Sequence, residues 1–178
     1  MMPIMRGAEE VNSPTEALPV LQERLTNLSP AQLAEKVIRL EIKIRNWDPQ
    51  LWLESQTDPH QFYWQDRDET HLRIGLGAAR IWNDKKAGLN DVLLEIAAFL
   101  AEAPAGVRVY GGFAFDPGHP AGGSLLESPA GWRGWGSWRF FLPRIEWVQT
   151  AEGAVLACHV IPQKDGVEDI QRALNVVA

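Results

Sequence analysis

One cysteine, Cys158, stands in a chain of 178 residues, so no intrachain disulfide can form and no cysteine-rich zinc site can be built. Long apolar runs are missing too. Nothing approaches the ~20 consecutive apolar residues of a membrane-crossing helix, and the opening stretch MMPIMRGAEEVNSPTEALPVLQERLTNLSP holds no apolar core of a secretory signal. These absences set a cytoplasmic protein without membrane contact as the expectation. Positive charge is short as well: 17 Lys plus Arg against 23 Asp plus Glu leave a formal charge of −6. Binding to a phosphate backbone depends on clustered cations that release counterions, and no compensating basic face is visible, which argues against a nucleic-acid partner. Histidine is scarce, and His60, His71, His119 and His159 show no i, i+4 pairing, so none has the spacing of a metal site.

What is present is the composition of an ordinary globular protein, 46% hydrophobic and 22% charged, at a length usual for one domain. Ser13-Pro14-Thr15-Glu16 offers a capping oxygen, a proline suited to the first helical position and a carboxylate at the third. Leu18, Leu21, Leu25 and Leu28 then recur at helical spacing, and Pro19 either disturbs the early turns or marks the true start. Ser29-Pro30-Ala31-Gln32 repeats the signal and opens a short helix to about Lys36. The period then changes to 2 in VIRLEIKIR, where Ile38, Leu40, Ile42 and Ile44 alternate with Arg39, Glu41, Lys43 and Arg45, the pattern of a strand with one dry and one wet face.

Consecutive strands are expected in QFYWQDRDE and HLRIGLGAARIW, joined by a turn near Asp68-Glu69-Thr70. A helix over Asn90 to Ala101, capped by Asn90 or Asp91, follows from the one-sided spacing of Leu89, Val92, Leu93, Ile96, Ala97 and Leu100. VRVYGGFAFD reads as a strand in which Gly111-Gly112 suits a bulge or the close approach of another backbone. The Gly- and Pro-rich stretch from Asp116 to Ser137 exceeds the usual connection, and is either functional or disordered. SWRFFLPRIEWVQT and AVLACHVI form a hairpin about Ala151-Glu152-Gly153. Asp165 and Glu168 resemble a capping box for a last helix, whose apolar face is still running at Val177, as in a fragment or a frayed terminus. The sum is an α+β fold, a mostly antiparallel sheet with helices packed on one face, with 1–36 an arm plus helices and 37–178 the main domain.

Candidates for chemistry are few. Cys158 in VLACHVI reads as a small buried residue, since no cation or helix start flanks it to favour the thiolate. His71 and His159 read as residues on strand faces, and His119 as a solvated loop histidine within reach of a ligand. Gly75-Leu76-Gly77 lacks the third glycine of a dinucleotide loop and lies inside a strand. Ser124, Ser128 and Ser137 have no nucleophile-elbow context. Asp66, Arg67, Asp68 and Glu69 cluster at a turn, where solvation or salt bridging is the commoner fate than acid–base work, and Lys85-Lys86 reads as an exposed corner. Eight tryptophans stand out. Trp132, Trp135, Trp138 and Trp147, interleaved with Arg133, Arg139 and Arg144, suit partner binding or base stacking, but a core or a surface covered by another domain is the preferred reading.

Four blocks in order carry a resemblance. Phe62-Tyr63-Trp64 with Arg67, Gly75-Leu76-Gly77-Ala78, Gly111-Gly112-Phe113-Ala114-Phe115-Asp116 and Leu142-Pro143-Arg144-Ile145-Glu146 resemble the amino-terminal part of isochorismate synthases, the menaquinone-pathway type in particular, from about residue 46 to the end. The resemblance implies an enzyme that converts chorismate to isochorismate with magnesium, water adding at one ring carbon as hydroxyl leaves another. It also implies that this portion belongs to a larger α/β sandwich. The family's water-activating lysine, its proton-donating carboxylic acid and its magnesium-holding glutamates lie in the carboxyl-terminal chorismate-binding half. No catalytic, cofactor-binding or metal-ligating residue is therefore assigned here, neither Asp66 nor Glu146 being promoted, and no cofactor is expected in this chain. The expected partner is that carboxyl-terminal half, and the piece alone is expected to self-associate or to be marginally stable. The alternative is a free-standing module that binds a small carboxylate through Arg67, Arg133, Arg139 or Arg144, or another protein.

Overall fold

The computed structural model describes residues 10–45, 47–83, 88–113 and 136–166. The expectations for the first nine residues, for Lys85-Lys86, for His119, Ser124, Ser128, Trp132, Arg133 and Trp135, and for the last helix beyond residue 166 lie outside them. In chain order the elements are β1 (Glu10–Val11), α1 (Pro14–Thr26), α2 (Pro30–Leu33), β2 (Ile38–Ile44), α3 (Pro49–Glu54), β3 (Gln61–Gln65), β4 (Leu72–Asn83), α4 (Leu89–Ala101), β5 (Tyr110–Phe113), β6 (Trp138–Thr150) and β7 (Gly153–Val160). The expected mixed α+β architecture with a mostly antiparallel sheet is what forms. Strand order is β1-β2-β7-β6-β4-β3, and β5 lies off this path, paired with residues 138–141 of β6. Only β1 and β2 run parallel among the described pairs.

Local chemistry sets most boundaries. The Ser13 hydroxyl accepts the Glu16 N–H at 3.2 Å and Glu16 Oε2 accepts the Asn12 N–H at 2.9 Å, so α1 starts at Pro14 and carries Pro19 inside it. Ser29 and Gln32 close a reciprocal capping box, yet α2 ends at Leu33, short of Lys36. Helix α3 was not foreseen: Asp48 caps it through the N–H groups of Gln50 and Leu51 at 2.8 and 3.3 Å, with Pro49 at its first position. The side-chain cap expected for α4 at Asn90 or Asp91 is absent; the helix begins behind Gly88, with Asp91 in its first turn. Of VRVYGGFAFD, β5 takes in Tyr110–Phe113; residues 107–109 precede the strand, and residues 114–116 lie outside the described residues.

Packing follows the alternation. Ile38, Leu40, Ile42 and Ile44 of β2 join Leu72, Ile74, Leu76, Ile145, Trp147, Leu156, Cys158 and Val160 in one buried cluster, covered by Ala17, Leu18, Leu21 and Leu25 of α1 and Trp52 of α3. Helices α1 and α3 thus back one face, and the segment set apart as 1–36 contributes directly to the main core. Helix α4 gathers a second, smaller cluster, with Val92, Ile96 and Phe99 against Trp82, Trp138 and Leu142. Between the two, β4 carries an extra residue relative to β6 at Ala78/Arg80, the bulge that lets one strand serve both clusters.

Candidate functional site

The sheet face opposite α1 concentrates the buried charge. Register places Arg39 of β2 beside His159 of β7, and Glu146 of β6 between Ala157 and Gly75. Glu146 and His159 are fully buried, and the Arg39 side chain is 5% exposed. One carboxylate oxygen of Glu146 is ion-paired with Arg39, and the other accepts the hydroxyl of Tyr110 from β5. Burial works against the Arg39 charge, but Glu146 and Glu41 more than offset it and hold its pKa above the ordinary value. Burial, reinforced by the Glu146 charge, raises the Tyr110 phenol well above its usual range, so Tyr110 stays a proton donor. His159 Nδ1 lies 2.9 Å from the Pro143 carbonyl and Nε2 lies 2.8 Å from Arg39 Nη1. Since the carbonyl can only accept and the guanidinium can only donate, the imidazole is neutral with its proton on Nδ1. Burial and the Arg39 charge push its pKa down to about 3.

Against this network opens a cavity of about 750 Å³, walled by Phe62 and Trp64 of β3, Arg73 of β4, and the 106–112 segment with Arg108 and Tyr110. Glycine builds its floor: a Cβ on Gly75 would lie 1.9 Å from Phe62 Cε1, so only glycine lets that ring lie over the strand and stack on Tyr110 at a centroid distance of 4.1 Å. At Gly111 a Cβ would meet the Arg139 carbonyl at 2.1 Å, which bears out the expected close backbone approach. Gly106, at φ +88°, passes over Arg39 and helps to close the charge cluster.

The arginines singled out in the sequence do not converge. Arg144 forks onto Asp165 at 2.6 and 2.7 Å and also donates to the His159 carbonyl at 2.8 Å. Asp165 is thus a partner of Arg144 and of the Ile161 N–H. Arg139 meets His60 Nε2 at 2.6 Å, and Arg67 is exposed at the β3–β4 turn. Asp66 organises that turn, and the His71 N–H, then the Thr70 hydroxyl, hold its pKa far below the usual carboxylate range. His71 precedes β4 instead of lying on a strand face. Cys158 is buried, which pushes its thiol up to about 12 and leaves it inert, and Trp138 and Trp147 are core residues. Arg73, Arg108 and Tyr110 drew no notice in the sequence because residues from β4, β5 and the 106–112 segment meet only across the sheet.

The acids among the described residues do not fit a magnesium site. No group of three or more His, Cys, Asp or Glu among the described residues is placed to hold a metal ion. The buried acids are engaged, Glu146 by Arg39 and Tyr110, and Asp165 by Arg144. Nor is any helix among the described residues long and apolar enough to cross a membrane.

Residues 23–176 match the family of chorismate binding enzymes, and with most of its length so matched the chain belongs to that family. Within it, the sequence is 28% identical over 171 residues to isochorismate synthase MenF of Escherichia coli (strain K12), covering 94% of this chain and 34% of that protein. The structure of MenF, the menaquinone-specific isochorismate synthase from Escherichia coli, is similar with a TM-score of 0.64 and 25% identity, over 92% of this chain and 34% of that one. The chain spans about a third of the length of the relatives it matches.

Proposed function

We propose that this chain acts as the amino-terminal, non-catalytic portion of an isochorismate synthase, completing the sheet architecture around an active site whose reactive groups belong to a chorismate-binding carboxyl-terminal portion. What carries the reading is the collinear match to MenF, which takes in nearly all of this chain but a third of that protein. Support also comes from the acids themselves, since Glu146 and Asp165 are occupied by arginines and have no free oxygen pair to offer a metal or a leaving hydroxyl. Magnesium, in this reading, is held by the other portion. The likeness to a menaquinone-specific enzyme favours that pathway over siderophore synthesis.

Incubation of the chain with chorismate and magnesium is the direct test, with isochorismate followed by chromatography. No product is expected from the chain alone, and turnover by it overturns the reading. Supplying the polypeptide that corresponds to the remaining two thirds of a MenF-like enzyme is expected to give a co-purifying complex and activity. The chain by itself is expected to self-associate in sedimentation; a strict monomer with a sharp cooperative melt counts against an incomplete sheet structure.

A further inference from the structure

The cavity beside Tyr110 has a chemistry of its own, independent of whether the chain works alone or with a further portion. In a chain of net charge −6, its walls carry two arginines and, among the described residues, no carboxylate. Arg73 is the informative one. Its side chain is 14% exposed, yet Nη1 reaches the Tyr110 hydroxyl at 3.5 Å and Glu146 Oε1 at 3.6 Å. The first distance is marginal and the second is a long ion pair without a hydrogen bond, so among the described residues most of the five N–H donors of this guanidinium have no hydrogen-bond acceptor. Glu146 cannot move closer, because Arg39 and Tyr110 hold both of its oxygens. Arg108, exposed, enters from the 106–112 segment and is ion-paired to no described residue.

The rest of the lining is flat and apolar. Trp64 is the cross-strand partner of Arg73, the two side chains standing on one face. Trp64 is 49% exposed. Below them lies the Phe62–Tyr110 stack. Volume, aromatic walls and a few convergent polar groups are the ordinary features of a small-molecule site. We propose that this cavity binds a small carboxylate carried on a flat ring, its oxygens taken by the Arg73 and Arg108 guanidinium groups and its ring lying against Trp64 and Phe62.

Benzoate is the probe, titrated into the full chain by calorimetry and by ligand-observed NMR. Benzyl alcohol serves as the ring without the charge, acetate as the charge without the ring, and inorganic phosphate as the competing oxyanion. Benzoate is expected to bind more tightly than all three, and more weakly as salt is raised. Arg108→Gln removes an exposed side chain that is ion-paired to no described residue, so the variant keeps the fold, and it is expected to weaken benzoate about tenfold or more. Arg73→Gln and Trp64→Ala should each weaken it as well, with circular dichroism confirming their folding. The proposal is overturned if benzoate does not bind, if its affinity is the same in the Arg108→Gln chain, or if phosphate or acetate binds as tightly as benzoate.

Discussion

On one face of the sheet Ile42, Ile74, Ile145 and Leu156 are buried against α1, while on the other Glu146, His159 and the Arg39 side chain are buried about as deeply, Gly106 lying near Arg39 and Tyr110 on Glu146. Alternation in the sequence separates the two sets cleanly, but it separates apolar from polar, not dry from wet. Arg39 and Glu41 are neighbours in the same polar set of β2, and the Arg39 side chain is enclosed while that of Glu41 is half exposed. What encloses Arg39 is chain from sixty or more residues further on. The aliphatic face is held by burial of area, each side chain replaceable by another of similar shape. The charged face is held by mutual satisfaction, so that each group is stable only while its partners are present.

The largest expected effect separates these two kinds of burial. Glu146→Ala takes away the buried counterion of the enclosed Arg39, leaving it the half-exposed Glu41, and is expected to lower unfolding free energy by about 3–5 kcal/mol in urea titration. Combining Glu146→Leu with Arg39→Met removes both charges and is expected to recover most of that loss; a double variant as unstable as Glu146→Ala breaks the comparison. On the aliphatic face, Leu156→Ala costs about 2–5 kcal/mol through a cavity, and deleting a neighbouring residue does not rescue it.

A smaller effect depends on pH. His159 has a folded pKa of about 3, below its ordinary 6.5, so its neutral form contributes fully above pH 6.5. In the window between the two values the unfolded chain takes up a proton that the folded chain refuses. The contribution is therefore lost as pH falls through that window, at up to about 1.4 kcal/mol per pH unit. Melting temperature followed from pH 7 downward, in the chain and in His159→Gln, isolates the term, and an unchanged slope in the variant refutes its origin in the imidazole. Smallest is the loss of a cap remote from both faces. Ser29→Ala is expected to cost about 1 kcal/mol by thermal melting, whatever happens to the charge network.

Several elements were legible because their causes are local. Ser13 and Ser29 announce the starts of α1 and α2, the alternation over 38–44 announces β2, and Gly111 foretells a close backbone contact. Helix α3 escaped notice because one turn and a half capped by Asp48 is too short to show a period. β1, two residues long, exists only through its pairing with β2. The family likeness was also readable, as four short blocks in order, and the match over residues 23–176 agrees with it.

The candidate site was not. Sequence proximity pointed to Arg139 and Arg144, but both guanidinium groups are taken, by His60 and by Asp165. Arg73, Arg108 and Tyr110 were left to be gathered by the sheet. By itself the sequence determined where α1, α2 and β2 begin, which residues are apolar on each, and which family the chain belongs to, because these depend on neighbours within a few positions. Tertiary structure alone decided which polar side chains are enclosed and which arginines face the cavity, because desolvation and ion pairing are set by whatever lies across the sheet, however distant along the chain.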